Sequence, residues 1–101
     1  MIEHINDQQK FNEFIKEGKV LVDFFATWCG PCKMLSPVIE QLANANPDLK
    51  VVKVDVDEAP MIASKYGIQH IPTLFLLKDG EIVNKAVGYM NKNQLENFIN
   101  K

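Results

Sequence analysis

Short apolar runs of strand length alternate along the chain with amphipathic stretches. Residues 20–26 are almost continuously apolar, which is typical of a strand covered on both faces. Valine-rich residues 49–56 predict another strand. Two further runs flank Asp79-Gly80, the strongest short signal for a two-residue hairpin turn. The predicted strands are residues 2–5, 20–26, 49–56, 73–78 and 81–87.

Four intervening stretches predict helices, three of them with apolar residues spaced to form one buried face. Asn6 or Asp7 can cap the first helix, Gly18 can end it, and Asn91 can cap the last. A short helix over residues 60–66 is closed by Gly67. The predicted buried faces carry Phe11, Phe14 and Ile15 in the first helix, Met34, Leu35, Val38, Ile39 and Leu42 in the second, and Leu95, Phe98 and Ile99 in the last.

The resulting order, βαβαβαββα, predicts an α/β fold with a mixed five-stranded sheet and four helices on its two faces. Residues 20–56 form a strand–helix–strand unit, so its two strands should be parallel and its crossover right-handed. A chain of 101 residues is long enough for one hydrophobic core, and we expect a single domain over residues 1–101.

Composition and charge narrow the classes of function. The net charge of −2 leaves no basic excess to neutralise phosphates, which argues against nucleic acid as a partner. No apolar run approaches the roughly 20 residues needed to span a bilayer, so no membrane partner is expected. The first seven residues lack the pattern of a signal peptide. We therefore expect a cytoplasmic protein, whose cysteines are ordinarily kept reduced.

The two cysteines, Cys29 and Cys32, lie where an apolar strand gives way to a helix. A thiol at a helix N-terminus meets unpaired backbone N–H groups and the positive end of the helix dipole, which favour the thiolate. The second thiol is close enough to attack a mixed disulfide formed at the first. This arrangement is suited to dithiol–disulfide exchange.

Other chemistries compete for the same pair. A structural disulfide across so short a loop contributes only ~2 kcal/mol by the loop-length relation, and the cytoplasm opposes it. A zinc site needs four ligands, and the remaining candidates, His4 and His70, lack the paired spacing of a zinc finger. Copper needs both sulfurs free, whereas Cys32 should turn inward behind Pro31. These considerations favour redox exchange.

Activation of the first thiol explains only part of the design. An unperturbed cysteine is ~3% thiolate at pH 7, and lowering its pKa by about 1.5 raises this to ~50%. Nucleophilicity falls with the pKa by a factor of roughly five, so attack gains only about threefold. The greater demand falls on resolution by Cys32. The uncharged Gly30-Pro31 between the cysteines favours a reducing pair.

Asp23 lies within the apolar run 20–26, where a buried carboxylate must be paired or have its pKa raised. It is either a polar residue at an exposed edge or a buried group that accepts the proton of Cys32 during resolution. Lys53, in the neighbouring predicted strand, is either its partner or extends to solvent. The segment holding Asp55, Asp57 and Glu58 is predicted to be a solvated loop that helps to cap the next helix.

The run from Trp28 to Lys33, with its Cys-Gly-Pro-Cys core, resembles the thioredoxin family, and C-x-x-C in a βαβ context is typical of that fold. The resemblance extends over nearly the whole chain. The further matching positions are Val22-Asp23-Phe24, Lys53, Asp55, Lys65-Tyr66-Gly67-Ile68, Ile71-Pro72-Thr73-Leu74, Asp79-Gly80 and Gly88.

This resemblance implies roles for particular residues. Cys29 would be an exposed nucleophile, Cys32 the resolving thiol, and Asp23 the group that deprotonates Cys32. The bond between Ile71 and Pro72 would be cis. Gly30, Pro31 and Lys53 would tune the redox chemistry, and the residues expected to line a groove for extended peptide are Trp28, Gly30, Pro31, Ile71, Pro72 and Gly88.

Two positions depart from the family pattern. Phe25 stands where many members have a second tryptophan, which should be a conservative packing change. His70 precedes Ile71 where relatives vary. It is either an exposed loop residue or, when protonated, a group that stabilises the Cys29 thiolate.

The expected activity is general protein-disulfide reduction without a bound cofactor, using the disulfide itself as the redox group. The resemblance implies that disulfide-containing proteins are the substrates and that a flavoprotein reductase supplies electrons. The protein would act as a monomer. Alternatives stay open within redox chemistry and outside it. The protein is either a dedicated redox partner of one client, an oxidant, or a non-catalytic scaffold or binding subunit of the same fold.

Overall fold

A computed structural model describes residues 2–101 and has the predicted order of strands and helices. Each predicted element is present, and its ends differ from the prediction by at most a few residues. The elements are β1 (Ile2–His4), α1 (Gln8–Ile15), β2 (Lys19–Phe25), α2 (Gly30–Ala45), β3 (Lys50–Asp55), α3 (Pro60–Lys65), β4 (Thr73–Lys78), β5 (Glu81–Val87) and α4 (Lys92–Phe98).

The five strands form one mixed sheet in the order β1-β3-β2-β4-β5. β1 and β2 each pair in parallel with β3, so the predicted parallel pairing of the βαβ unit is confirmed. β4 runs antiparallel to β2 and β5 runs antiparallel to β4. The carboxyl ends of β2 and β3 therefore meet at one edge of the sheet, next to the start of α2.

The hydrophobic core has two layers, one on each face of the sheet. Alternate residues of β2 divide between them: Leu21 belongs to the layer that includes α2 and α4, and Val22 to the layer that includes α1 and α3. Asp23 follows Leu21 on the α2 side and is completely buried. A carboxylate thus lies under the first turns of α2, in an otherwise apolar layer.

Local signals account for the ends of several elements. Asp7, rather than Asn6, caps α1 by accepting a hydrogen bond from the Lys10 N–H at 2.9 Å. Asn91 caps α4 in a reciprocal capping box with Gln94. Asp79 and Gly80 both adopt positive φ, which matches the twist of a two-residue hairpin turn.

One predicted core position is wrong. Met34 was expected on the buried face of α2, but it is 62% exposed. The inner face of the helix is set by Cys32, Leu35 and Ile39, and residue 34 is turned about 100° away from Leu35. Val38 from the same prediction is half-buried and packs against the core.

Candidate redox site

The two cysteines lie at the carboxyl end of β2, where the chain turns into α2. Cys29 has extended backbone angles and is the N-cap of the helix, while Cys32 lies in its first turn. The two residues form a disulfide with their Cα atoms 5.3 Å apart. Cys29 Sγ accepts a hydrogen bond from the Cys32 N–H at 3.2 Å. The sulfur of Cys29 therefore occupies the place of an N-cap side-chain acceptor.

Both cysteines are almost covered in this oxidised form. Cys29 is 5% exposed and Cys32 is 4% exposed, so the expectation that Cys29 is an exposed residue is wrong for this form. Phe25, Val56 and Ile71 pack against the pair and account for its coverage. Position at the helix end, not exposure, distinguishes the two sulfurs.

A second backbone segment closes the site opposite the helix. The bond between Ile71 and Pro72 is cis, as the family resemblance implied, and Cys29 Sγ lies 3.9 Å from the carbonyl oxygen of Ile71. The Pro72 carbonyl accepts a hydrogen bond from the Gly88 N–H at 2.8 Å. Gly88 has a φ of +100°, a conformation that strongly favours glycine.

Trp28, immediately before Cys29, is 68% exposed. Its indole N–H donates a hydrogen bond to Asp57 Oδ2 at 2.8 Å, which orients the ring beside the disulfide. Gly30 and Pro31, on the other side of Cys29, are also exposed. The structure thus surrounds the nearly buried disulfide with accessible backbone and one large aromatic side chain.

In the acidic loop after β3, Asp57 and Glu58 are exposed as predicted, whereas Asp55 is not. Asp55 is buried, with 8% exposure, and its Oδ1 accepts hydrogen bonds from the backbone of Asp57 at 2.9 Å and Glu58 at 3.4 Å. It therefore fixes the loop rather than lying in solvent. The N-cap of α3 is Ala59, which makes no side-chain hydrogen bond, so these carboxylates do not cap that helix.

Asp23 is the buried carboxylate that the sequence pattern suggested. Neither of its carboxylate oxygens has a hydrogen-bond partner within residues 2–101. Burial raises the pKa of Asp23 from its ordinary value of 3.8 to about 6, and the positive charge of Lys53 opposes this rise. The alternative of a solvent-exposed edge residue is excluded by its zero exposure.

Lys53 is the charge partner of Asp23 and does not take the alternative role of a side chain extended to solvent. Its Nζ lies 3.8 Å from Asp23 Oδ2, which is an ion pair but not a hydrogen bond. The ammonium instead donates to Ser36 Oγ at 2.8 Å and lies 4.9 Å from the centre of the Phe25 ring. The side chain is only 11% exposed, so it does not extend freely to solvent.

Sequence reasoning missed Ser36. A signal for it exists, because a polar residue four positions after Cys32 falls on the same face of a helix. His70, the other open question, is exposed, and its backbone carbonyl accepts a hydrogen bond from Thr73 Oγ1.

Two further observations concern partners and metals. Across residues 2–101, no helix is long and apolar enough to cross a membrane. The same residues contain no cluster of three or more histidine, cysteine or acidic side chains that could hold a metal ion.

Comparison with known proteins gives one consistent result. The sequence model of the Thioredoxin family matches residues 2–101. A thioredoxin of Bacillus subtilis (strain 168) is 52% identical over 94 residues, covering 92% of this chain and 90% of the relative. A thioredoxin of Listeria monocytogenes is 46% identical over 102 aligned residues, covering 100% of this chain and 98% of the relative.

Solved structures agree with the sequence comparison. Oxidised mitochondrial thioredoxin 3 from Saccharomyces cerevisiae superposes with a TM-score of 0.89 at 42% identity, covering 97% of this chain and 92% of the other. A mutant thioredoxin from Halobacterium salinarum superposes with a TM-score of 0.91 at 41% identity, covering 97% and 87%. With its cysteine pair at the start of α2, the chain belongs to the thioredoxin family and is a protein-disulfide oxidoreductase.

Proposed function

We propose that this oxidoreductase uses Cys29 as its nucleophile and Cys32 as its resolving thiol. In the reduced protein, the Cys29 thiolate attacks one sulfur of a substrate disulfide, forming a mixed disulfide and releasing the other sulfur as a thiolate. Cys32 then attacks Cys29 Sγ, which forms the internal disulfide and releases the second substrate thiolate. Two electrons pass from the cysteine pair to the substrate.

The position of Cys29 Sγ at the helix N-terminus is the single observation that carries this assignment. The Cys32 N–H already donates to that sulfur in the disulfide, at 3.2 Å. In the free dithiol the helix end favours negative charge at this atom, so Cys29 is the thiolate that begins the exchange. When Cys32 later attacks Cys29 Sγ, the bond from Cys29 to the substrate sulfur breaks and the substrate sulfur is the leaving group. Within residues 2–101, Cys29 Sγ accepts this backbone hydrogen bond and Cys32 Sγ accepts none.

Resolution also requires that the Cys32 thiol lose its proton, and we assign that proton to Asp23. The carboxylate is buried on the side of the sheet that faces α2, and its oxygens are free of other hydrogen bonds among the described residues. A base is most effective when its pKa lies near the working pH, and burial raises the pKa of Asp23 to about 6. Lys53 tunes this value through its charge.

The substrate groove is proposed to run across Trp28, Gly30, Pro31, Ile71, Pro72 and Gly88. The Ile71 carbonyl, 3.9 Å from Cys29 Sγ, would accept a hydrogen bond from an extended substrate chain beside the reacting sulfur. The exposed indole of Trp28 would cover the same segment.

Disulfide-containing proteins would be the oxidants, and a separate flavoprotein, a thioredoxin reductase, would restore the dithiol. Because the bound redox group is the disulfide itself, the chain needs no further cofactor for the exchange. We propose that it works as one domain and as a monomer in the cytoplasm, where a reducing supply is maintained.

The test is reduction of a disulfide-bonded protein such as insulin, coupled to a thioredoxin reductase and its nicotinamide donor. The wild type should turn over, Cys29→Ser should give only the background rate, and Asp23→Asn should be about 10²-fold slower at neutral pH. A Cys29→Ser protein that retained turnover would overturn the assignment of the nucleophile. A pair that is fully reduced by glutathione but fails to reduce insulin would point to the dedicated-partner alternative.

A further inference from the structure

Ser36 lies on the inner face of α2, one turn after the resolving cysteine. It is half-buried and is flanked on that face by Leu35 and Ile39, which belong to the core layer over the sheet. Its hydroxyl is directed to a partner on β3, since it accepts a hydrogen bond from Lys53 Nζ at 2.8 Å. This contact links the catalytic helix to the strand beside Asp23.

Three groups hold the Lys53 ammonium, and only one of them is a hydrogen-bond partner. Ser36 Oγ lies at 2.8 Å, the centre of the Phe25 ring at 4.9 Å, and Asp23 Oδ2 at 3.8 Å. A charge-assisted hydrogen bond to a carboxylate is stronger than one to a neutral hydroxyl. The ammonium nevertheless bonds to the hydroxyl and stands about 1 Å beyond ordinary hydrogen-bond distance from the carboxylate.

The Asp23 carboxylate, for its part, lacks hydrogen-bond donors. Both oxygens of Asp23 are fully buried and lack a hydrogen-bond partner within residues 2–101. A buried carboxylate in this condition is ordinarily paired, because burial penalises its charged form. Lys53, the cation beside this carboxylate, is therefore held beyond hydrogen-bond distance of Asp23 Oδ2.

We propose that Ser36 is a positioning residue, whose hydroxyl anchors the Lys53 ammonium outside hydrogen-bond distance of Asp23. The proposal rests on the role assigned above to Asp23. With the ammonium held at this distance, both carboxylate oxygens stay free to receive the proton of Cys32. The nearby positive charge still lowers the free-energy cost of ionising Asp23.

The surroundings contain few other charges that could substitute for this anchor. In register, Asp23 is flanked by Leu74 on β4 and by Lys53 on β3. An open cleft beside α2 reaches Ser36 and Lys53, so water has access to this side of the pair. Besides Lys53, the titratable groups at this end of the sheet include His4, which lies opposite Lys53 in register, and Asp55, two residues after Lys53 on β3. Cys32 and Lys33 of α2 line the cleft.

Removal of the Ser36 hydroxyl should bring the ammonium to the carboxylate. Lys53 would then lack its neutral acceptor in a side chain only 11% exposed. The nearest unsatisfied acceptor is Asp23 Oδ2, and closing the gap creates a charge-assisted hydrogen bond. Tighter contact with a positive charge favours the ionised carboxyl, so Asp23 should titrate at lower pH.

The experiment follows the carboxyl ¹³C resonance of Asp23 during a pH titration of the oxidised protein, in which neither cysteine titrates. In Ser36→Ala the midpoint should fall by about 1 pH unit, as expected for a carboxyl gaining a close cationic partner. Ser36→Thr keeps a hydroxyl at the same position and should retain the wild-type midpoint. A midpoint that is unchanged or raised in Ser36→Ala, or lowered equally in Ser36→Thr, overturns the proposal.

A second pair of variants separates positioning from a general structural effect. Lys53→Met should raise the Asp23 midpoint because it removes the positive charge. Adding Ser36→Ala to Lys53→Met should then leave the Asp23 midpoint where Lys53→Met alone puts it, since Ser36 is proposed to act only through Lys53. A further fall in the double variant would refute that route. Because the titration requires no exchange reaction, its result is independent of whether Asp23 accepts the proton of Cys32.

Discussion

The indole N–H of Trp28 donates a hydrogen bond to Asp57 Oδ2 at 2.8 Å, joining the residue before Cys29 to the loop after β3. The two residues are 29 positions apart in the chain. The bond therefore depends on the parallel pairing of β2 with β3, which brings the carboxyl ends of both strands to one edge of the sheet.

Loss of this bond should weaken substrate binding more than it slows the exchange. In Asp57→Ala the exposed indole loses its acceptor, and a hydrogen bond of about 1 kcal/mol corresponds to a rise in KM of roughly fivefold. Steady-state reduction of a disulfide-bonded protein gives both constants. Asp57→Asn keeps an acceptor oxygen and should stay within about twofold of the wild type. A fall in kcat at unchanged KM would contradict a role of Trp28 in binding.

Replacement of Asp23 by asparagine should stabilise the protein at neutral pH. The pKa in the folded protein is raised from 3.8 to about 6, so the folded state binds this proton more tightly than the unfolded chain. The contribution of Asp23 to the free energy of unfolding therefore falls as the pH rises from 3.8 to about 6 and stays low above that range. The loss amounts to about 3 kcal/mol.

Urea unfolding of Asp23→Asn at several pH values checks this sign. The variant should be more stable than the wild type by about 3 kcal/mol at pH 7, and the difference should vanish towards pH 3. The exposed Asp48→Asn serves as a control and should change stability by less than about 0.5 kcal/mol at either pH. An advantage that is the same at both pH values would show that ionisation of Asp23 is not its source.

A variant that lacks Cys32, the proposed resolving thiol, should accumulate the mixed disulfide. With Cys32→Ser, the reaction stops after Cys29 has joined a substrate sulfur, because no internal thiolate remains to displace it. Intact-mass measurement after mixing with a disulfide-bonded protein should find the covalent adduct as the main species. Cys29→Ser is the matched control and should form little adduct, and the reverse pattern would exchange the two roles.

A lysine far from the redox site should contribute to stability by binding the end of a helix. Lys50 Nζ donates hydrogen bonds to the carbonyls of Phe14 and Glu17 and lies 4.7 Å from the centre of the Phe14 ring. Lys50→Met should lower the free energy of unfolding by about 1–2 kcal/mol, because helix-end carbonyls lose a charged donor.

Lys16 provides the comparison for that prediction. It forms an ion pair with Glu13, but the two side chains are 62% and 68% exposed. Lys16→Met should therefore change the unfolding free energy by less than about 1 kcal/mol in the same urea titration. Equal losses in the two lysine variants would argue against the helix-end role of Lys50.

The hydrophobic pattern was sufficient to predict the order of elements and the parallel βαβ unit. The pattern predicts correctly where the burial of a residue follows from its own segment. Residues 20–26 are almost all apolar because a strand in the middle of the sheet is covered on both sides. It fails at Met34, because the rotation of α2 is set by which residues meet the sheet and not by the helix's own sequence.

The parts of the site that depend on local sequence could be predicted. The adjacency of Cys29 and Cys32 and the position of Asp23 within an apolar strand are local patterns. The bonds from Trp28 to Asp57 and from Lys53 to Ser36 depend on how distant elements pack, so the pattern left Asp57 as a solvated residue and gave Ser36 no role. The low exposure of Cys29 likewise comes from Ile71, 42 positions along the chain.

Asp23 is buried without a hydrogen-bond partner among the described residues, and this has a consequence for laboratory evolution of the protein. A selection that rewards thermal resistance alone should repeatedly replace this aspartate, since neutral side chains of similar size avoid its ionisation under the apolar layer. Lineages enriched in this way would gain melting temperature and, given the role proposed for Asp23, would complete the exchange more slowly. The residue at position 23 is therefore informative. An aspartate retained there in a stabilised library indicates that selection for turnover was also acting.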